Sequence, residues 1–488
     1  MTGIPALLVS IYLWLWLAVS VASVILALHA FTPHRRNLAL FVVSFFSTWL
    51  TLELPVHHMG VLLAGALGVV LLDGWATPVG VAALALNAVA LVLLQVHLRS
   101  GRGAAGIMKR TLQGYVQEGR WPRVPASKLL LPFHPARREV RVERDVVYAR
   151  VAGQSLKLDV YLPATPPPPG VRRPAIVQIH GGAWVIGSRK EQGLPLLYHL
   201  ASNGWVGINV DYRLSPGATF PDHLVDIKRA IAWLREHADH YGVDPTFIAA
   251  TGGSAGGHLT ALAALTDADS RYQPGFEDAD TSVQAAIPVY AVYDFTDRLK
   301  LMGRPFLRRV LEPVVMKAFL DEEPERFRDA SPLDRIHGDA PPFLIVHGTR
   351  DTLAPVEYAR LFATALSDVS SEPVLYAEIE GAQHAFDIFT SPRTVRVISG
   401  MERFLDEAYR RHRASTGGSA ASKGTSGDGG TGDGGTGDGG TGDGGTGDGG
   451  TGDGGAGAGS KGDDAPGADD ARDRQPGDDD PDTASRQD

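Results

Sequence analysis

Ser254 lies in the segment Thr251-Gly252-Gly253-Ser254-Ala255-Gly256-Gly257-His258. Small residues on both sides let a chain turn sharply and hold the serine hydroxyl at the start of a helix. There, backbone amides and the helix dipole favour developing negative charge, which is what a nucleophile needs. A serine between two glycines is weak evidence alone, because a glycine-rich helix cap reads the same way. The flanks sharpen it: residues 247–250 read as a strand and 259–265 as a helix. Upstream, His180-Gly181-Gly182-Ala183-Trp184 follows an apolar run at 175–179, so the loop would present backbone N–H groups over the serine. Gly181 and Gly182 are the candidate oxyanion donors, joined by the N–H of Ala255. His180 reads as a loop-organising residue and Trp184 as packing or a pocket wall.

A serine nucleophile needs a base and a group to orient that base. The run 343–346 is followed by His347-Gly348-Thr349-Arg350-Asp351, and 374–378 by Gly381-Ala382-Gln383-His384. Both segments place a candidate beyond the carboxyl end of a strand, where open α/β sheets gather their sites. The chain order Ser254, Asp351, His384 is serine, acid, histidine. His384 would accept the serine proton, and Asp351 would fix its tautomer. Asp294, Asp297 and Asp387 are the competing acids and His347 the competing base.

These residues must be held by alternating strands and helices over residues 140–412. Strands are expected at 140–148, 156–162, 175–179, 206–210, 247–250, 283–289, 343–346 and 374–378. Helices are expected at 222–240, 254–265, 355–366 and 392–411. In 222–240, Leu224, Ile227, Ile231 and Leu234 recur on one face. Four prolines within 165–170 make a loop. Short apolar strands separated by helices predict an α/β fold with a mostly parallel sheet covered on both faces.

The segments His180 to Trp184, Asp211-Tyr212-Arg213-Leu214-Ser215-Pro216, Gly252 to His258, His347 to Asp351, and His384 together resemble α/β-hydrolase esterases. The resemblance is to the hormone-sensitive-lipase type and the neighbouring feruloyl and acetyl-xylan esterase branches. It covers roughly residues 140–412. It implies hydrolysis of a carboxylic ester through an acyl-enzyme, without a cofactor or metal. It also implies an oxyanion hole at Gly181, Gly182 and Ala255, and a structural role for 212–216. Many members of the lipase branch carry a third glycine where this chain has Ala183. Amide hydrolysis by the same triad, or a silent scaffold of the same fold, are the alternatives.

The first hundred residues are of another kind. Residues 5–31 carry no charged side chain, enough for a span of about 20 residues in a hydrocarbon core about 30 Å thick. Further apolar runs cover 38–52, 56–72 and 78–98. Four spans are expected over residues 1–98, with three as the alternative and the two middle runs short enough to form a re-entrant pair. Basic residues after the last run (Arg99, Arg102, Lys109, Arg110) favour a cytoplasmic body. The expected setting is therefore a multi-pass membrane protein acting on a small or lipid-like ester. Residues 99–139 read as a juxtamembrane junction. His57 and His58 beside Glu53 fit an interface better than a metal site. Residues 298–332 contain an apolar helix that is either a lid or ordinary packing.

The chain has 488 residues, 44% of them hydrophobic, and no cysteine, which excludes disulfides, thiolate metal sites and cysteine nucleophiles. Its net charge of −9 belongs to the tail 413–488, which repeats Thr-Gly-Asp-Gly-Gly over 431–455 and reads as disordered. The remainder is close to neutral and gives nucleic acid no basic surface.

Overall fold

The structure, a computed structural model, describes residues 6–33, 38–117, 121, 132, 137–267, 269–301 and 307–423. The glycine–aspartate tail from 424 onward and most of 118–136 lie outside the described residues.

Alternation of apolar residues across two buried faces builds the sheet. Its strands are β1 (Val140–Val151), β2 (Gln154–Pro163), β3 (Arg173–Ile179), β4 (Val206–Val210), β5 (Val243–Gly253), β6 (Ala285–Val289), β7 (Phe343–Gly348) and β8 (Val374–Ile379). They pair in the order β1-β2-β4-β3-β5-β6-β7-β8. The β1–β2 and β2–β4 pairs are antiparallel, and β4, β3 and β5 to β8 are mutually parallel. On β3, Ala175 and Val177 enter one core while Ile176 enters the other; on β5, Ile248 and Ala250 oppose Phe247 and Ala249. Both faces are dry, which is why the central strands read as unbroken apolar runs.

Four apolar helices precede the sheet: α1 (Ala6–His29), α2 (Leu38–Glu53), α3 (Pro55–Leu71) and α4 (Pro78–Thr111). Later come α5 (Leu194–Ser202), α6 (Asp222–Glu236), α7 (Ala255–Leu265), α8 (Val356–Val369) and α9 (Pro392–Lys423). Helices α6, α7 and α8 cover the first face through residues such as Ile227, Leu259 and Phe362. Helices α5 and α9 cover the second through Leu197, Met401 and Phe404, and so does the last third of α4 through Ala104 and Met108. The element α5 had no counterpart in the sequence reading.

The apolar region departs from four separate spans. By length and composition, α1 and α4 can cross a membrane, and a third crossing requires α2 and α3 together as one broken element. At 1.5 Å per residue these two are only about 24 and 26 Å long, short of a core about 30 Å thick. They meet at an 84° bend. Pro55 opens α3, and a proline removes an amide donor and disfavours helical backbone in the residue before it, so α2 stops at Glu53. Helix α4 runs unbroken through 99–111, the first part of the expected juxtamembrane junction. In the region 298–332, Leu311, Val315 and Met316 of the helix Leu307–Met316 are fully buried in the first core. Phe306, which the lid reading included, lies outside the described residues.

Candidate active site

Strand register brings the candidate residues to one edge. Ile179 pairs with Gly252, Gly253 with Val289, Val289 with Val346, and Gly348 with Ile379. The loops carrying His180, Ser254, Tyr290, Asp351 and His384 therefore all leave the sheet at its carboxyl edge.

Ser254 has φ of 59° and ψ of −121°, a strained position between β5 and α7. Its N–H donates to the Val289 carbonyl at 3.0 Å. The turn is pressed against the end of β3, and a Cβ on Gly256 would lie 2.1 Å from the Ile179 oxygen. The loop after β3 arches back over the elbow, with Gly182 at φ 121°. A Cβ on Gly181 would come 3.0 Å from that of Ser254, so this loop lies beside the serine.

The Gly181 amide, expected as an oxyanion donor, is committed elsewhere: it donates to Gln192 Oε1 at 2.8 Å. Of the expected donors, the N–H groups of Gly182 and Ala255 are left as candidates. His180 is fully buried, its Nδ1 lies 2.8 Å from the Gly181 oxygen, and its ring stacks on Tyr212 at 4.4 Å. The Tyr212 hydroxyl donates to the His180 carbonyl at 3.0 Å. Burial holds the His180 imidazole below its ordinary pKa, consistent with organising the loop. Trp184 is 1% exposed and packs edge-on against His258 and Phe295, each at 5.0 Å, which makes it packing rather than a pocket wall.

Asp351 and His384 meet. His384 Nδ1 is 2.7 Å from Asp351 Oδ2, and Oδ1 accepts the N–H groups of Leu353 and Ala354, each at 2.8 Å. His347 Nε2 lies 3.3 Å from the same carboxylate and 2.9 Å from the Ala354 oxygen. Burial pushes the Asp351 carboxyl up, but the charge of His384 and hydrogen bonds from His347 and His384 outweigh it and hold it well below the usual carboxylate range. The competing acids are engaged elsewhere: Asp294 with Thr296 and Arg298, Asp297 with the Tyr358 hydroxyl, and Asp387 with the Tyr290 hydroxyl.

Tyr290 connects the two halves. Its ring packs on the His384 ring at 4.7 Å, and its hydroxyl stands where a Cβ on Gly253 would fall, 2.5 Å away. Among the described residues no hydrogen bond joins Ser254 Oγ to the imidazole; in sites without substrate such contacts are commonly long. Two residues escaped the sequence reading. Gln192, in the loop before α5, carried no signal. Gln383 stands beside His384, and its Oε1 accepts from the Thr352 and His384 amides at 2.8 and 2.9 Å.

Residues 158–366 match the BD-FAE family model. The body of this chain has the α/β-hydrolase fold. The hydrolase body is 49% identical over 250 residues to the probable carboxylic ester hydrolase LipM of Mycobacterium tuberculosis, covering 51% of this chain and 58% of that protein. It is 44% identical over 255 residues to esterase LipQ of the same organism, covering 52% and 60%. The chain thus spans less than two thirds of the length of these relatives. Among solved structures, the apo form of Thermogutta terrifontis esterase 2 is 31% identical, covering 56% of this chain and 94% of that one, with a TM-score of 0.45.

Proposed function

We propose that this chain is a membrane-anchored serine hydrolase that cleaves carboxylic esters, with residues 140–412 as its catalytic domain and residues 1–98 as its anchor. The observation that carries the reading is the His384–Asp351 pair at 2.7 Å, on the same sheet edge as the strained Ser254 elbow. The esterase names of the relatives support the reaction class. Helices α1 and α4 support the anchor.

In this mechanism Ser254 Oγ attacks the ester carbonyl carbon and its proton passes to His384 Nε2. The tetrahedral oxyanion is held by the N–H groups of Gly182 and Ala255. Collapse breaks the bond to the alcohol oxygen, which leaves with the proton from His384. Water then gives a proton to His384 and attacks the acyl carbon. The carboxylic acid departs and the proton returns to Ser254.

The test is hydrolysis of p-nitrophenyl esters from acetyl to palmitoyl by the full chain in detergent, alongside Ser254→Ala. Turnover lost in the variant is expected, with the chain-length optimum naming the acyl class. A folded protein that neither turns over any ester nor reacts with a fluorophosphonate rules the reading out.

A further inference from the structure

Helix α2 of the bent pair sits on the histidine loop. The Thr48 hydroxyl donates to the Ser44 carbonyl at 2.7 Å, and its oxygen accepts from Gln383 Nε2 at 3.1 Å. Gln383 is fully buried, and its other amide atom is the acceptor for the His384 and Thr352 N–H groups. One side chain therefore ties the backbone of the base, the loop of the acid and helix α2 together. One residue on, Trp49 Nε1 donates to the Ala385 carbonyl at 2.9 Å, and its ring stacks on Phe389 at 4.8 Å. At the bend, Glu53 is buried in an ion pair with Arg393 and accepts from the Ser391 hydroxyl at 2.6 Å. Three successive anchors on one helix thus fall within ten residues of His384, far more than is needed to attach a tether.

We infer that α2 is a working part of the active site, with Thr48, Trp49 and Glu53 as positioning residues for the His384 loop. The inference rests on His384 being the base. It makes turnover conditional on the apolar region being assembled on the body. Ala385, at φ of 59°, follows His384 directly, and the Trp49 donor holds its carbonyl. Without Thr48 the buried Gln383 amide loses an acceptor and has reason to turn, releasing the two amides that fix the base and the acid loop. An imidazole displaced by even about 1 Å can cost on the order of a hundredfold in rate.

The experiment uses the full chain in phosphatidylcholine nanodiscs, with p-nitrophenyl acetate as substrate and active sites counted by fluorophosphonate labelling. Thr48→Val is expected to lower kcat per labelled serine at least tenfold with KM nearly unchanged. Thr48→Ser, which keeps the oxygen, should restore most of it. Trp49→Phe keeps the stacking ring and loses the donor, and should lower kcat several-fold at an unchanged melting temperature. Glu53→Gln is avoided as the lead variant because a stranded Arg393 endangers folding. Wild-type kcat in both Thr48→Val and Trp49→Phe overturns the role of α2 while leaving the esterase reading intact. A loss in Thr48→Val that Thr48→Ser does not restore, or that only follows a lower melting temperature, also overturns it. A wild-type chain that is neither labelled nor active removes the esterase reading, and the inference with it.

Discussion

His384 Nδ1 donates to Asp351 Oδ2 across 2.7 Å, although the two residues are 33 apart in sequence and stand on loops after neighbouring strands. The carboxylate is fully buried yet saturated with donors, so it stays ionised and holds the imidazole in one tautomer. Asp351→Asn keeps the shape and reverses the hydrogen-bond preference. A fall in kcat of about 10³- to 10⁴-fold is expected, with KM changed far less, measured on a soluble p-nitrophenyl ester.

Gln192 holds the Gly181 amide. Gln192→Leu would leave that N–H without its acceptor and slacken the loop that carries Gly182. A loss of roughly 10- to 100-fold in kcat is expected. Fluorophosphonate labelling of Ser254 should slow in parallel, because the phosphonyl oxygen uses the same donors.

A pair of glycine replacements separates packing from backbone freedom. Gly256→Ala forces a Cβ to within 2.1 Å of a backbone oxygen on β3. It should destabilise the body by more than about 4 kcal/mol in urea unfolding. Gly103, on α4, has open space at its Cβ. Gly103→Ala should be neutral or stabilise by up to about 1 kcal/mol.

His223 is fully buried, with Nε2 3.1 Å from the Ser215 hydroxyl. Burial lowers its pKa from 6.5 to about 4. Between those values the unfolded chain binds a proton that the folded chain refuses, so stability rises with pH across this window and is lost as pH falls through it. The contribution is at most roughly 3 kcal/mol. His258, lowered to about 3 by its own burial, acts in the same direction. Melting curves at pH 7 and pH 4.5 should therefore show a smaller acid shift for His223→Gln than for the wild type.

The strands were legible because a sheet buried on both faces leaves continuous apolar runs, and 343–346 and 374–378 each ended in a polar loop carrying a candidate residue. The paired Asp351 and His384 followed from that chain order. The Gly181 amide was misread because its partner, Gln192, reaches it from 11 residues downstream through a side-chain contact that no local pattern reveals. The apolar region was less legible for a related reason. The apolar runs flanking Pro55 are short in the sequence and leave two crossings or a re-entrant pair open, and the structure joins them at an 84° bend. Residues 99–111 read as part of a juxtamembrane junction; in the structure Arg102, Lys109 and Arg110 face outward, while Ala104 and Met108 on the other side fill the core beside β8.

That last helix has a mechanical consequence. α4 is one rod of 34 residues, about 51 Å end to end. Its first part packs with α1 and α3 through Ala83, Ala90 and Leu94, and its last part is a wall of the sheet's second core. No swivel lies between the two. Were α1 and α4 seated in a bilayer as proposed, the body's attitude to that surface would be set once, at folding. Trimming the chain at residue 98 to make a soluble fragment would pull out a wall, not cut a leash.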